Sequence, residues 1–234
     1  MNKKAFVSIS ILNLVLLVIN ITLICIGFNN KEDASSIFKN NIDSIVEIKA
    51  SSTDVGESFG SGIIYSSDGY IVTNSHVISY NIHSDEKIFD TIQIRFAKDE
   101  EYQDATYIKN DSELDLAIIK INDSTKKYKP INFSNDKYTY GDLVYAIGNT
   151  SNYGIGISKG IISVPEVNIV YDDFSRLVIQ SDIDISSGNS GGALLDKKGN
   201  LIGITTFRTK DLNGNINYGF VYSIPIMLIK EYVM

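Results

Sequence analysis

The 234-residue sequence predicts an all-β domain, sandwich or barrel, behind a single N-terminal membrane-spanning helix. Three observations carry that prediction. Ala5 to Phe28 is a run of 24 residues without a charge. After it come short β-prone runs such as "SGIIYS", "YIVTNSHV", "TIQIRFA", "LDLAIIKI", "LVYAIGN", "GISKGIISV", "LVIQSDI" and "LIGITTF". Turn signals separate the runs, at Ser67-Asp68-Gly69, Asp196 to Asn200 and Asn213-Gly214-Asn215. The prolines fall only at run edges, as an all-β sandwich or barrel requires.

The first element is the charge-free run. As a helix it would be about 36 Å long, enough to cross a bilayer core of about 30 Å. Lys3 and Lys4 precede it, so the N-terminus is expected in the cytoplasm and everything after Phe28 outside it. A cleaved signal peptide is the competing reading. It would have a shorter apolar core and a small-x-small site, and "IGFNNKEDASS" offers no good one. Cys25 in "TLIC" lacks the small residue expected before a lipidated cysteine. An uncleaved anchor over residues 5–28 is therefore expected, with residues 1–28 as cytoplasmic stub and anchor.

Residues 29–43 read as a short juxtamembrane segment, partly helical from the spacing of Ile37, Phe38 and Ile42. Strand pattern begins at Ser44, so the main domain is expected over 44–234. "KKYKPINFSNDKYTYGD" looks like a connection between two halves, about 44–125 and about 130–230. This outer part is acidic, which makes nucleic acid an unsuitable partner. Cys25 is the only cysteine, so the outer part has no disulfide; with the Ile-, Asn- and Lys-rich usage this points to a bacterium. No metal-ligand cluster or phosphate loop stands out, so no metal or cofactor is expected.

Chemistry is concentrated at three places. The chain has two histidines. His83 sits in the polar stretch "YNIHSDEKIFD", while His76 ends the apolar run "GYIVTNSHVI". Taken alone, His76 has a plainer reading as a structural histidine. Asp115 lies between two leucines in "SELDLAIIKI", where burial is costly unless a partner such as an imidazole N–H pairs with it. A strand-capping Asp facing water is the alternative. Ser190 lies in "SGNSGGALL", where Gly188, Gly191 and Gly192 crowd one serine. A tight turn would explain some of that. An oxyanion hole explains more: a serine needs a base to attack, and the oxyanion needs preorganised N–H donors. Those donors are expected to be the backbone N–H groups of Gly188 and Ser190. Gly191 and Gly192 are expected to let a substrate chain approach.

In the order His76, Asp115, Ser190, with spacings of 39 and 75 residues, the chain resembles the trypsin-like serine peptidases of chymotrypsin fold, in particular the HtrA (DegP-like) branch. The matching stretches are "GSGIIYSSDGYIVTNSHV", "ELDLAIIKI", "GDLVYAIGN", "GISKGIISV", "QSDIDISSGNSGGALLDKKGNLIGITT" and "YGFVYSIPI", across about residues 35–230. The resemblance implies two six-stranded antiparallel barrels with a catalytic triad in the cleft between them. His76 and Asp115 would come from the first barrel and Ser190 from the second. It implies a serine endopeptidase acting on proteins or peptides, which the anchor would place at the outer face of the membrane, with protein quality control as one candidate role. Relatives of that branch are often trimers, but no contact that would build one is identifiable in the sequence. The family usually has Pro where Ala193 stands, and often "NPGNS" where the chain has "SSGNS". Many relatives carry a C-terminal PDZ domain; the sequence stops 9 residues after Pro225, so none is expected.

The alternative function is a catalytically inactive protease-fold binding module at the cell surface. Such modules commonly lose the Ser or His, and here all three residues stand in full local motifs. Asn189 replaces the acid that trypsin relatives use to pair with a newly cut N-terminus, so no activation by trimming is expected. The pocket for the residue before the cut bond is expected to be small and apolar, bounded by Ile185 and the Thr205-Thr206-Phe207 strand. Asp184, six residues before Ser190, invites a basic specificity, but period-two alternation turns it away if Ile185 faces the pocket.

Overall fold

The structure, a computed structural model, describes residues 11, 13–22, 33–83, 85–123, 125–150, 153–171, 174–208 and 219–234. The chain forms two compact units, residues 1–33 and residues 34–234. In the first, residue 11 and residues 13–22 are helical, with Leu14 and Leu17 exposed. Among the described residues no helix is long and apolar enough to cross a membrane. The rest of the expected 5–28 span, Cys25 included, lies outside the described residues, as does the turn expected at Asn213–Asn215.

The second unit opens with α1, Ala34–Asn41. Its Ile37 is fully buried with Leu195, Leu201 and Ile229, so the helix expected in the juxtamembrane segment is packed into this unit's core. A 3-10 turn, Ile42–Ser44, leads into the first strand.

Six strands close the first barrel: β1 (Ile45–Ser52), β2 (Gly56–Ile64), β3 (Tyr70–Thr73), β6 (Thr91–Phe96), β7 (Gln103–Asp111) and β8 (Leu116–Ile121). They follow one another round the barrel as β1-β2-β3-β8-β7-β6. A separate hairpin, β4 (Ser79–Ile82) and β5 (Asp85–Ile88), stands outside it. The second barrel also has six strands: β9 (Leu143–Asn149), β10 (Ile155–Tyr171), β11 (Phe174–Ser181), β12 (Ala193–Leu195), β13 (Leu201–Phe207) and β14 (Val221–Pro225). Helix α3, Ile226–Val233, ends the chain. The two barrels implied by the family resemblance are thus present, in the expected order along the chain.

Strand alternation explains how two barrels share one core. On β1, Val46, Ile48 and Ala50 fill the first barrel with Ile64, Ile71 and Ile119. On β9, Val144 and Ala146 fill the second with Ile179, Leu194 and Ile202. The opposite faces meet between the barrels: Ile45, Ile63, Val72 and Leu116 pack in one cluster with Tyr145, Ile147, Ala193 and Ile204. Burying one such Ile or Leu contributes about 1.5–3 kcal/mol. This shared layer fixes the two barrels against each other, so the cleft between them has a defined width.

Candidate active site

The run "YIVTNSHV" is not one strand. It breaks after β3 into a one-turn helix, α2 (Ser75–Ile78), because Asn74 takes an extended N-cap geometry, φ −78° and ψ 149°. His76 thus sits on a helical turn, its side chain about half exposed. Buried Val77 and Ile78 anchor the turn in the first barrel.

Asp115 sits opposite, before β8. Its φ of 57° lies in the left-handed region, which costs a non-glycine residue about 1–3 kcal/mol unless its surroundings hold it there. Two contacts do so. Asn74 Nδ2 donates to the Asp115 carbonyl at 2.9 Å, and the Asp111 carboxylate accepts the Leu114 N–H at 2.9 Å. The Asp115 side chain is only 5% exposed. Its Oδ1 lies 2.9 Å and its Oδ2 3.0 Å from His76 Nδ1, and Oδ1 also accepts the His76 backbone N–H at 3.1 Å. Thr206 Oγ1 donates to Oδ2 at 2.6 Å. Burial alone would push this carboxyl up. The charge and hydrogen bonds of His76 and the Thr206 hydroxyl outweigh burial and hold it below the usual carboxylate range.

Ser190 faces the same cleft from the second barrel, about 620 Å³ in volume and lined also by His76, Asp115 and Thr206. The structure therefore brings the three expected residues into one site. The Ser190 hydroxyl donates to the Thr206 carbonyl at 2.7 Å. Thr206 thus contacts two members of the constellation, one through its side chain and one through its main chain.

The glycines around Ser190 also let the first barrel pack closely against the serine loop. Gly191 has φ +83°, and a Cβ there would lie 2.1 Å from the Ser61 carbonyl and 2.3 Å from Thr73 Oγ1. What approaches it in the structure is the first barrel's own backbone. Ser61 on β2 clamps the loop: its N–H donates to the Ser190 carbonyl at 2.8 Å and its hydroxyl to the Gly188 carbonyl at 2.8 Å. The same hydroxyl accepts the Asn149 N–H at 2.7 Å. Gly188 has φ +95°, with a Cβ position 2.9 Å from the Asn149 carbonyl. Within this loop the Asn189 N–H pairs with Ser186, Gly191 with Thr205 and Gly192 with Asn189. Among the described residues, the N–H groups of Gly188 and Ser190 donate to no main-chain acceptor.

Of the four residues expected to bound the specificity pocket, Ile185, Thr206 and Phe207 line the cleft. Thr205 does not: its hydroxyl turns the other way and donates to the Asn189 and Gly192 carbonyls at 2.7 and 3.2 Å, pinning the serine loop. Thr206 faces the cleft, but its hydroxyl is engaged by Asp115. Phe207 stacks on Tyr171 with centroids 3.8 Å apart, giving the pocket an aromatic wall. Asp184 points outward, 94% exposed, and pairs with Arg208. His83 lies exposed beyond β4 and does not line the cleft. Among the described residues no cluster of His, Cys, Asp and Glu could hold a metal ion.

Sequence reasoning missed Ser61, Asn74, Thr206 as the partner of Asp115, and Arg176. Arg176 Nε and Nη2 donate to the carbonyls of Glu113 and Ser112 at 2.9 and 2.8 Å, bridging the second barrel to the loop before Asp115. Ser61 and Asn74 did stand inside quoted motifs, "GSGIIY" and "TNSHV", but nothing in their spacing says what they touch.

Residues 60–204 match the family described as trypsin-like peptidase domain. The chain is 37% identical over 179 residues to a probable periplasmic serine endoprotease, DegP-like, of Bartonella henselae, a match covering 75% of the chain and 32% of that protein. It is 37% identical over 173 residues to the serine endoprotease DegS of Haemophilus influenzae, covering 74% of the chain and 48% of that protein. The chain thus spans less than half the length of either relative. The fold superposes on the HtrA-type protease AlgW with tripeptide at a TM-score of 0.72 and 29% identity, covering 86% of the chain and 62% of that structure. A match through most of both barrels, together with HtrA-type relatives in sequence and in structure, means that the chain belongs to the trypsin-like peptidase family.

Proposed function

We propose that the chain is a membrane-anchored, extracytoplasmic serine endopeptidase of HtrA type. The observation that carries this reading is the convergence of His76, buried Asp115 and Ser190 on one cleft. In the mechanism, Ser190 Oγ attacks the scissile carbonyl while its proton passes to His76 Nε2. The hydroxyl must first turn from the Thr206 carbonyl toward the imidazole. Asp115 holds the Nδ1–H tautomer and stabilises the imidazolium that forms. The N–H groups of Gly188 and Ser190, which have no main-chain acceptor among the described residues, receive the oxyanion. His76 then returns the proton to the leaving amine, and water releases the acyl group by the reverse sequence.

The pocket walls Ile185 and Phe207, with Asp184 turned out to Arg208, support a small aliphatic residue before the cut bond. The anchor reading rests on the charge-free run from Ala5 to Phe28, the preceding lysines, and the exposed apolar helix over residues 13–22. The substrates in view are exported or membrane proteins and peptides.

The test is hydrolysis of a peptide library by the purified chain beside Ser190→Ala and His76→Ala. Either substitution is expected to reduce turnover by up to about 10⁶-fold. Cuts are expected after Val, Ala and similar residues. Undiminished cleavage by Ser190→Ala contradicts the mechanism. Cuts mainly after Arg and Lys, lost in Asp184→Ala, contradict the pocket.

A further inference from the structure

The β4–β5 hairpin follows His76 directly, stands outside both barrels, and returns Glu86 to the cleft beside the His76 turn. Glu86 Oε1 accepts from Ser79 Oγ at 2.8 Å and from Ser75 Oγ at 3.1 Å. Its Oε2 accepts from Ser112 Oγ at 3.2 Å. Asn110 Nδ2 donates to Ser75 Oγ at 3.0 Å, which directs the Ser75 proton at the carboxylate. Every one of these donors is neutral. Burial would push the Glu86 carboxyl up, but these hydrogen bonds outweigh it and hold the group below its ordinary value. Neutral donors fix a charge in place without cancelling it.

No cation among the described residues pairs with Glu86. The two arginines of the cleft are engaged elsewhere, Arg176 on the Ser112 and Glu113 carbonyls and Arg208 on Asp184. Glu86 remains exposed toward the cleft. Tyr80, which also lines the cleft, is held by packing on Phe89, with centroids 4.8 Å apart. A ring beside a fixed carboxylate suits a side chain with an apolar stem and a cationic head.

A peptide lying extended in the cleft sends successive side chains to opposite walls. With the residue before the cut bond against Ile185 and Phe207, the residue preceding it faces the wall of His76, Ser112 and Glu86. We propose that Glu86 and Tyr80 form a subsite that takes a Lys or Arg side chain at the second residue before the cut bond. This specificity rests on the endopeptidase reading above and adds to it a determinant on the β4–β5 hairpin.

The experiment compares kcat/KM for peptides with Val before the cut bond and Lys, Gln or Glu at the position before that. Wild type is expected to favour Lys over Gln by about twofold to fivefold, the scale of a part-exposed charge pair, and to disfavour Glu. In Glu86→Gln the Lys-to-Gln ratio is expected to fall to about one, and in Glu86→Lys the order of Lys and Glu to invert. The ratio within each variant cancels any general change in activity. If neither variant folds, the salt dependence of the wild-type ratio decides: a charge-based preference shrinks as ionic strength rises. Wild-type cleavage without a Lys preference, or a preference unchanged by Glu86→Gln or by salt, overturns the subsite and leaves the endopeptidase standing. Absence of any Ser190-dependent cleavage overturns both.

Discussion

At the scale of single residues, Thr206 is the position where the least visible side chain has the most to do. Its hydroxyl donates to Asp115 and its carbonyl accepts from Ser190. Thr206→Val removes the donor while keeping the shape, and leaves a buried carboxylate one hydrogen bond short. Hydrogen bonds to charged groups contribute about 1.5–3 kcal/mol, so a loss of that size is expected in urea unfolding, with a fall in kcat. Thr206→Ser is expected to restore both. Loss in both variants alike would assign the effect to packing rather than to the hydroxyl. Asp115 also makes stability depend on pH. Its carboxyl titrates below its unfolded value of about 3.9, so its contribution is fully present above that pH. The contribution is lost as pH falls through the depressed folded value. The stability difference between wild type and Asp115→Asn is therefore expected to be largest above about pH 4 and to shrink in acid. A difference that grows as pH falls would reverse the assignment. Of these residues, His76, Asp115 and Ser190 were legible because their local stretches are distinctive. Thr206 was legible as a residue of the pocket strand but not as the partner of Asp115, because which side of β13 faces Asp115 depends on a register shift between Thr205 and Phe207.

At the scale of elements, β2 holds the serine loop. Ser61→Ala would leave the Gly188 carbonyl and the Asn149 N–H without their buried partner. A cost of about 1–3 kcal/mol is expected, with slower labelling of Ser190 by an active-site probe. Stability and labelling both unchanged would show that the clamp is dispensable. Gly191→Ala is expected to do more harm, since its Cβ would overlap the Ser61 carbonyl. Strand runs were legible from alternation, which is a local property. The clamp was not, because Ser61 and Gly188 are 127 residues apart. The one-turn helix α2 was hidden for another reason: "IVTNSHVI" is apolar enough to read as strand, and four helical residues are too few to show a period. The β4–β5 hairpin was not legible, because its own residues, within the polar stretch "YNIHSDEKIFD", give little strand signal. What it does depends on the turn to which it returns Glu86.

At the scale of the whole molecule, two barrels share one apolar layer, and that layer fixes the cleft without any disulfide among the described residues. The all-β class was legible from the short β-prone runs and the turn signals between them. The closure of each half into a six-stranded barrel came from the family resemblance, since alternation serves a sandwich equally well. Nothing in the site calls for a newly cut N-terminus. Asn189 is buried and neutral, and its side-chain amide lies 3.3 Å from the Ser186 carbonyl and 3.2 Å from the Ser186 hydroxyl. A fragment beginning at residue 30 is therefore expected to hydrolyse peptides comparably with and without an N-terminal tag. Activity that appears only after a defined N-terminal cut would contradict this. The central claim is that Ser190 is an activated nucleophile, and a fluorophosphonate probe tests it most directly. Labelling of the wild-type chain, mapped by mass spectrometry to Ser190 and absent from Ser190→Ala and His76→Ala, is the predicted result. An unlabelled wild type, or equal labelling of Ser190→Ala, would contradict it.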